Sequence, residues 1–125
     1  MLRPILVTTF AALLLLTPQA PAAVVAEGRF GPTQKYTGTG RAIVDSSGGT
    51  RTLRLSRDFS ASAAIRLRMY LATTPSARAH IDLGPMTRRG AQSFRLPRSA
   101  SIRRYPYVVV WCADVDEPVT RARLR

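Results

Sequence analysis

Cysteine and histidine are almost absent from this chain of 125 residues: there is one of each, Cys112 and His80. A single thiol cannot build an intramolecular disulfide framework or a Cys-rich zinc site, and a single imidazole excludes a multi-histidine metal cage. Any Ser-His-Asp triad would have to pass through His80. Lysine is nearly missing as well, since Lys35 is the only one among 19 basic residues, which leaves 18 arginines against 7 acidic residues and a net charge of +12. No paired carboxylates in a common motif, nucleophile elbow, phosphate loop or metal-ligand spacing is visible, so an independent enzyme is not expected. At 9 proline and 8 glycine with 46% hydrophobic residues, the composition is that of an ordinary folded chain, not a disordered or fibrous one, and 13.7 kDa leaves room for one domain.

The amino terminus reads as a secretory signal peptide over residues 1–26. Arg3 supplies the charged start, Ile5 to Leu16 an apolar run, and Thr17-Pro18-Gln19 a break. The run is about 12 residues, short of the roughly 20 that a membrane helix needs, so no transmembrane segment is expected in the mature chain. Cleavage is expected after Ala20, Ala22 or Ala26, and no cysteine stands near these bonds to accept a lipid. The expected product is a secreted, extracytoplasmic domain over residues 27–125 that remains strongly basic.

Alternation dominates that domain. In Ile65-Arg66-Leu67-Arg68-Met69-Tyr70-Leu71 four apolar side chains fall on one face, and Arg66, Arg68 and Tyr70 on the other. Leu53-Arg54-Leu55, Phe94-Arg95-Leu96 and Thr120-Arg121-Ala122-Arg123-Leu124 repeat the pattern. Tyr107 to Cys112, in contrast, has no polar interruption and reads as a central strand covered on both faces. Turn chemistry punctuates the segments at Gly38-Thr39-Gly40, Ser46-Ser47-Gly48-Gly49, Thr73-Thr74-Pro75-Ser76, Gly84-Pro85 and Arg89-Gly90. Ser60 to Ala64 is at most one turn of helix. The spacing predicts an all-β domain, a small antiparallel β-sandwich or barrel of about seven to nine strands.

From Arg104 to Leu124 the chain has a tyrosine-led apolar strand ending in Trp111-Cys112 and a following short strand ending Ala122-Arg123-Leu124. Upstream stand Gly28-Arg29-Phe30, a segment from Gly38 to Val44, Leu53-Arg54-Leu55 through Phe59, Met69-Tyr70-Leu71, Leu83-Gly84-Pro85-Met86 and Gly90-Ala91-Gln92-Ser93-Phe94-Arg95-Leu96-Pro97. In this order the motifs resemble those of the electron-transfer DM-thirteen domain family, over Gly28 to Leu124. The chain departs from the family pattern at Ser62-Ala63-Ala64, where Gly-Pro-Asp is usual, at Tyr36, where histidine is common, and at Pro118-Val119-Thr120 in place of Phe-Gly. The resemblance implies redox or electron-transfer chemistry beside a redox or haem-binding protein partner, with the cysteine retained.

Three roles stand open for Cys112: a small core hydrophobe, an intermolecular disulfide partner, or a redox or ligand group binding haem or a metal through its thiolate. Arg103 and Arg104 precede its strand and would favour the thiolate if they lay near it, while Asp114, Asp116 and Glu117 oppose them. Trp111 and Tyr107 flank it as core packing or as electron relays, and His80 beside Ile81-Asp82-Leu83 reads as a surface histidine. A second functional reading rests on the outward arginines Arg54, Arg66, Arg68, Arg95, Arg121 and Arg123, which would hold an anionic cell-envelope polymer or an acidic protein. Nucleic acid is not expected, because secretion separates the protein from it and no base-stacking motif is present.

Overall fold

The alternating segments become strands wherever one face can be buried. A computed structural model describes residues 2–12, 22–62 and 66–125. In chain order the strands are β1 (Ala23–Arg29), β2 (Gly38–Thr39), β3 (Arg41–Ser47), β4 (Thr50–Leu55), β5 (Ser60–Ala61), β6 (Leu67–Ala72), β7 (His80–Met86), β8 (Gln92–Arg95), β9 (Tyr107–Cys112) and β10 (Glu117–Arg123). One sheet runs β1-β3-β4-β8, a second β10-β9-β6-β7, and β2 with β5 forms a two-residue pair. Every pairing is antiparallel, and no helix occurs among the described residues.

The registers show why the alternation specifies a sandwich. Across the first sheet Ala26, Val44, Leu53 and Phe94 stand opposite one another, one per strand. Across the second, Ile81, Leu71, Val108 and Ala122 do the same. These rows meet in one core with Leu67, Met69, Val110, Cys112 and Phe59. A one-residue slip of any strand would turn its row out to water, and each large side chain so exposed forfeits about 1.5–3 kcal/mol.

One edge of the sandwich is sewn shut. Glu27 N–H donates to Arg125 O at 3.1 Å, Arg125 N–H donates back at 3.0 Å, and Gly31 N–H donates to Arg121 O at 3.2 Å. The strands come so close that a Cβ on Gly28 would lie 2.1 Å from Arg123 O, which is why β1 carries glycine there. A second glycine bends the chain between β2 and β3: Gly40 has φ +97, and a Cβ there would meet Phe59 Cα at 2.7 Å. The segment from Gly38 to Val44 is therefore two strands with a kink.

Other local expectations change for identifiable reasons. Gly84-Pro85 is no turn but part of β7, because β7 lies at the sheet edge, where proline costs no ladder hydrogen bond. A bulge sits there, with Met69 opposite Gly84 and Tyr70 opposite Asp82, so Leu83 is the extra residue. The bulge resets the parity of β7, sending Asp82 and His80 outward while Ile81 packs on the core. β6 begins at Leu67, one residue after Arg66, which adopts φ 50. Ile65, expected on the buried face of that strand, lies outside the described residues. Ser60-Ala61 is strand rather than helix, and Ala63 and Ala64 also lie outside the described residues. Gln92 braces the β7–β8 loop: its Oε1 accepts from Thr87 N–H at 2.7 Å, and its Nε2 donates to Thr87 O at 3.0 Å.

Candidate redox site on the β9 strand

β9 lies between β10 and β6, so its hydrogen bonds are used on each side and its two faces are free to differ. Alternation sends Val108, Val110 and Cys112 into the core, and Tyr107, Val109 and Trp111 outward. The outward side is also covered: Val109 is 0% exposed and packs with Ala72 and Ala77 beneath the rings of Tyr70, Tyr107 and Trp111. The expectation of a central strand covered on both faces is met in this way.

Cys112 is 2% exposed, the last residue of β9, opposite Leu67 on β6 and Glu117 on β10. Above it the chain turns through residues 113–116 into β10. That end is tied by Ala113 N–H donating to Arg66 O at 3.1 Å and by the ion pair of Arg66 with Asp114, in which Arg66 Nε donates to Asp114 Oδ1 at 2.7 Å. Arg66 thus stands at the Cys112 end of β9, as does Lys35 through its pair with Glu117. Arg103 and Arg104 precede the opposite end, about 16 Å away at roughly 3.3 Å per residue, so they do not act on the thiol as the sequence order invites one to expect.

The outer face carries a second group of side chains. Tyr70 stacks on His80 at 4.0 Å between ring centroids and 10° between planes, and on Trp111 at 5.6 Å and 24°. Since β6 lies between β7 and β9, the phenol is flanked on both sides. Trp111 Nε1 donates to Asp116 Oδ1 at 3.2 Å, and Asp116 holds φ 54 in the β9–β10 turn to place its carboxylate there. His80 Nδ1 lies 3.0 Å from Ala77 O; a carbonyl only accepts, so Nδ1 carries the hydrogen. Burial raises the Tyr70 phenol above its ordinary value, with the Asp82 charge adding to the effect. Burial pushes Asp82 upward too, but the Arg68 ion pair and the Gly84 N–H outweigh it and hold Asp82 below the usual carboxylate value. Nε of Arg68 donates to Asp82 Oδ2 at 2.8 Å, and Gly84 N–H donates to Oδ1 at 2.9 Å.

The six outward arginines do not gather into one surface. Arg54 and Arg95 lie on β4 and β8 of one sheet, while Arg66, Arg68, Arg121 and Arg123 belong to β10, β6 and the approach to it in the other. Arg54 pairs with Asp45, Arg66 with Asp114 and Arg68 with Asp82. Arg121 Nη1 donates to Pro75 O at 3.2 Å, pinning the β6–β7 loop over the outer face, and Arg123 lies 5.8 Å from the Tyr107 ring centre. Arg95 is exposed. The three acidic residues after Cys112 are likewise engaged, Glu117 with Lys35 at 2.8 Å. His80 is on the far side of the sheet from Cys112, and no group of three or more His, Cys, Asp or Glu side chains converges among the described residues.

A family model described as Electron transfer DM13 matches residues 30–124, from the buried Phe30 to Leu124. The chain belongs to this family. Comparison with curated proteins and with solved structures finds no match. The DM13 match spans every strand from β2 to β10 and thus both the Trp111-Cys112 strand and the Gln92 brace. Among the described residues of this DM13 domain no helix is long and apolar enough to cross a membrane. Reading the sequence alone missed Tyr70, His80 and Asp116 as one group. Alternation marked Tyr70 as outward, but the β7 bulge that brings His80 beside it carries no signal beyond Gly84-Pro85.

Proposed function

We propose that this DM13 domain works outside the cytoplasm as an accessory in electron transfer, with Cys112 as its redox or ligand group and a redox protein, haem-bearing or otherwise, as its partner. Family membership carries the reading, together with the place of Cys112 at the end of the strand that ends the family's Trp-Cys motif. The leader supports export. Of the three cleavage points, those after Ala20 and Ala22 leave β1 whole, whereas a cut after Ala26 removes the first half of the strand and a buried core residue. Mass spectrometry of the exported protein decides among them.

A thiol so covered exchanges with a partner only when its strand end opens, and the Arg66–Asp114 pair over the β9–β10 turn is the latch. The test is the rate at which a small disulfide reagent titrates Cys112 in the native and the unfolded chain, with Arg66→Ala beside the wild type. The reading expects slow native reaction that accelerates in Arg66→Ala, and loss of partner reduction in Cys112→Ser. A thiol silent until global unfolding, with partner reduction intact in Cys112→Ser, sinks it.

A second reading, binding of an anionic envelope polymer, is favoured by one groove. Arg103, Arg123 and Arg125 line it over Val25, Ile102, Pro106 and Leu124, with no acidic side chain among the lining residues. Arg103 and Arg125 here join Arg123, one of the six arginines singled out by alternation, along a single groove. Salt-sensitive retention on an anionic matrix that is lost in Arg103→Ala/Arg123→Ala supports it; retention unchanged in that variant counts against it.

A further inference from the structure

From the stacked rings on the outer face we infer that His80, Tyr70 and Trp111 form a one-electron relay, with Trp111 as the site of oxidation and Asp116 as the acceptor of its proton. The inference rests on the electron-transfer reading of the domain but not on Cys112. Three neighbouring strands each contribute one ring, and the rings lie at 4.0 Å and 5.6 Å between centroids with planes within 10° and 24° of one another. Such overlap is what a migrating charge needs, and here it is built over the small buried cluster of Val109, Ala72 and Ala77. The stacked faces of Tyr70 are turned toward its neighbours, so this is not a platform on which a planar ligand would lie. What remains outward is the edge of the stack, ending at the exposed His80.

Oxidation of an indole becomes much easier when its N–H proton has somewhere to go, and proton transfer requires an acceptor already within hydrogen-bond reach. Asp116 Oδ1 stands 3.2 Å from Trp111 Nε1. The turn pays for that placement with a left-handed aspartate at φ 54, a conformation that aspartate tolerates better than most residues. In the step, a one-electron oxidant on a partner protein, such as a metal centre in its higher oxidation state, takes one electron from Trp111 and is reduced by one unit. The Nε1 proton passes to Asp116, leaving a neutral indolyl radical and a protonated carboxyl. One electron from a one-electron reductant, such as a reduced metal centre or flavin, and return of the same proton restore the indole. Tyr70 stands between Trp111 and His80 with a ring stacked on each side, and in the step it gives up no proton of its own.

Trp111 is the only tryptophan in the chain, which makes the proposal directly measurable. The mature protein is oxidised by a flash-generated ruthenium(III) tris-bipyridine complex, and the radical formed is read by transient absorption and electron paramagnetic resonance. The wild type is expected to give a neutral tryptophan radical. In Asp116→Asn, which keeps a residue tolerant of the left-handed turn, that signal is expected to give way to the protonated radical cation. Tyr70→Leu is expected to shorten the radical's life and Trp111→Phe to leave tyrosyl radicals only, with circular dichroism confirming that each variant is folded. Radicals spread over the tyrosines with none on Trp111, or the same neutral radical in Asp116→Asn, overturn the relay. A Cys112→Ser chain separates the two ideas. If it keeps the Trp111 radical but loses partner reduction, thiol and relay both stand. If it keeps both activities while Trp111→Phe loses partner reduction, the relay stands without the thiol.

Discussion

The two faces of β9 share a backbone and differ in almost everything else. Toward the core, Val108, Val110 and Cys112 are at most 2% exposed and interlock with Leu67, Met69 and Leu71. Toward water, Tyr107 and Trp111 are half-buried and are held to Tyr70, Asp116 and Arg123 by ring contacts and one hydrogen bond. Packing fixes the first face, so its residues are replaceable by others of like volume. Directional contacts fix the second, and there the identity of each side chain counts. The Trp-Cys pair joins the two: neighbours in sequence, they look into opposite environments, one closed to exchange with solution and the other open to it.

The contrast is broken most easily from the core side. Met69→Ala is expected to destabilise the domain by about 2–5 kcal/mol, since a wholly buried side chain leaves a cavity between the sheets. Trp111→Phe, which keeps a ring on Val109, is expected to cost about 1 kcal/mol, the worth of one hydrogen bond. Urea denaturation of the two variants beside the wild type measures the gap, and equal losses would erase the distinction between the faces. Next in size is Cys112. Cys112→Ala removes the sulfur from a site that is 2% exposed and is expected to cost about 0.5–3 kcal/mol by leaving a small void among core side chains. An alanine variant as stable as wild type would mean that the core closes over the lost sulfur.

Much of this architecture was legible beforehand, for a physical reason. A period of two is a local property, written plainly in Leu67-Arg68-Met69-Tyr70-Leu71, and the unbroken apolar run of β9 marked a covered strand, so the all-β class, as sandwich or barrel, and the outward arginines could be read directly. The motifs from Gly28 to Leu124 likewise pointed to the family that matches residues 30–124. What stayed hidden depends on register. Whether Arg103 or Arg66 neighbours Cys112, which aspartate neutralises which arginine, and that His80 meets Tyr70 are set by pairings across the sheet and by the bulge at Leu83. Gly84-Pro85 carried a signal, but the same two residues serve a turn or an edge-strand bulge, and only the neighbouring strand decides between them.

The β9–β10 turn offers a finer test of the outward face. Asp116→Ala is expected to lose about 1 kcal/mol with the Trp111 hydrogen bond and about 1–2 kcal/mol more from forcing alanine into the left-handed region. Asp116→Gly removes the bond and relieves the backbone, so it should recover most of the second part. If alanine and glycine are equally destabilising in thermal melts, the positive φ contributes nothing and the carboxylate alone matters.

The smallest effect comes from the ion pair beside the stack. Asp82 titrates below its ordinary value of 3.8 in the folded chain, because the Arg68 and Gly84 contacts favour its charged form more than burial opposes it. A depressed carboxylate value means that the native state holds the proton less tightly than the unfolded chain. Its stabilising contribution is therefore complete above pH of about 4 and disappears as the pH falls through the lowered folded value. Arg68 and Asp82 side chains are 38% and 41% exposed, so solvent screening limits the contribution to about 0–1 kcal/mol. In Arg68→Met, which keeps the aliphatic length, the loss of stability below pH of about 4 should be smaller than in the wild type, with little difference between the two acid slopes at higher pH. Urea midpoints taken at half-unit steps of pH measure it. A steeper acid slope in the variant would mean that Arg68 destabilises the Asp82 carboxylate, and the outer face would then be held by its rings alone.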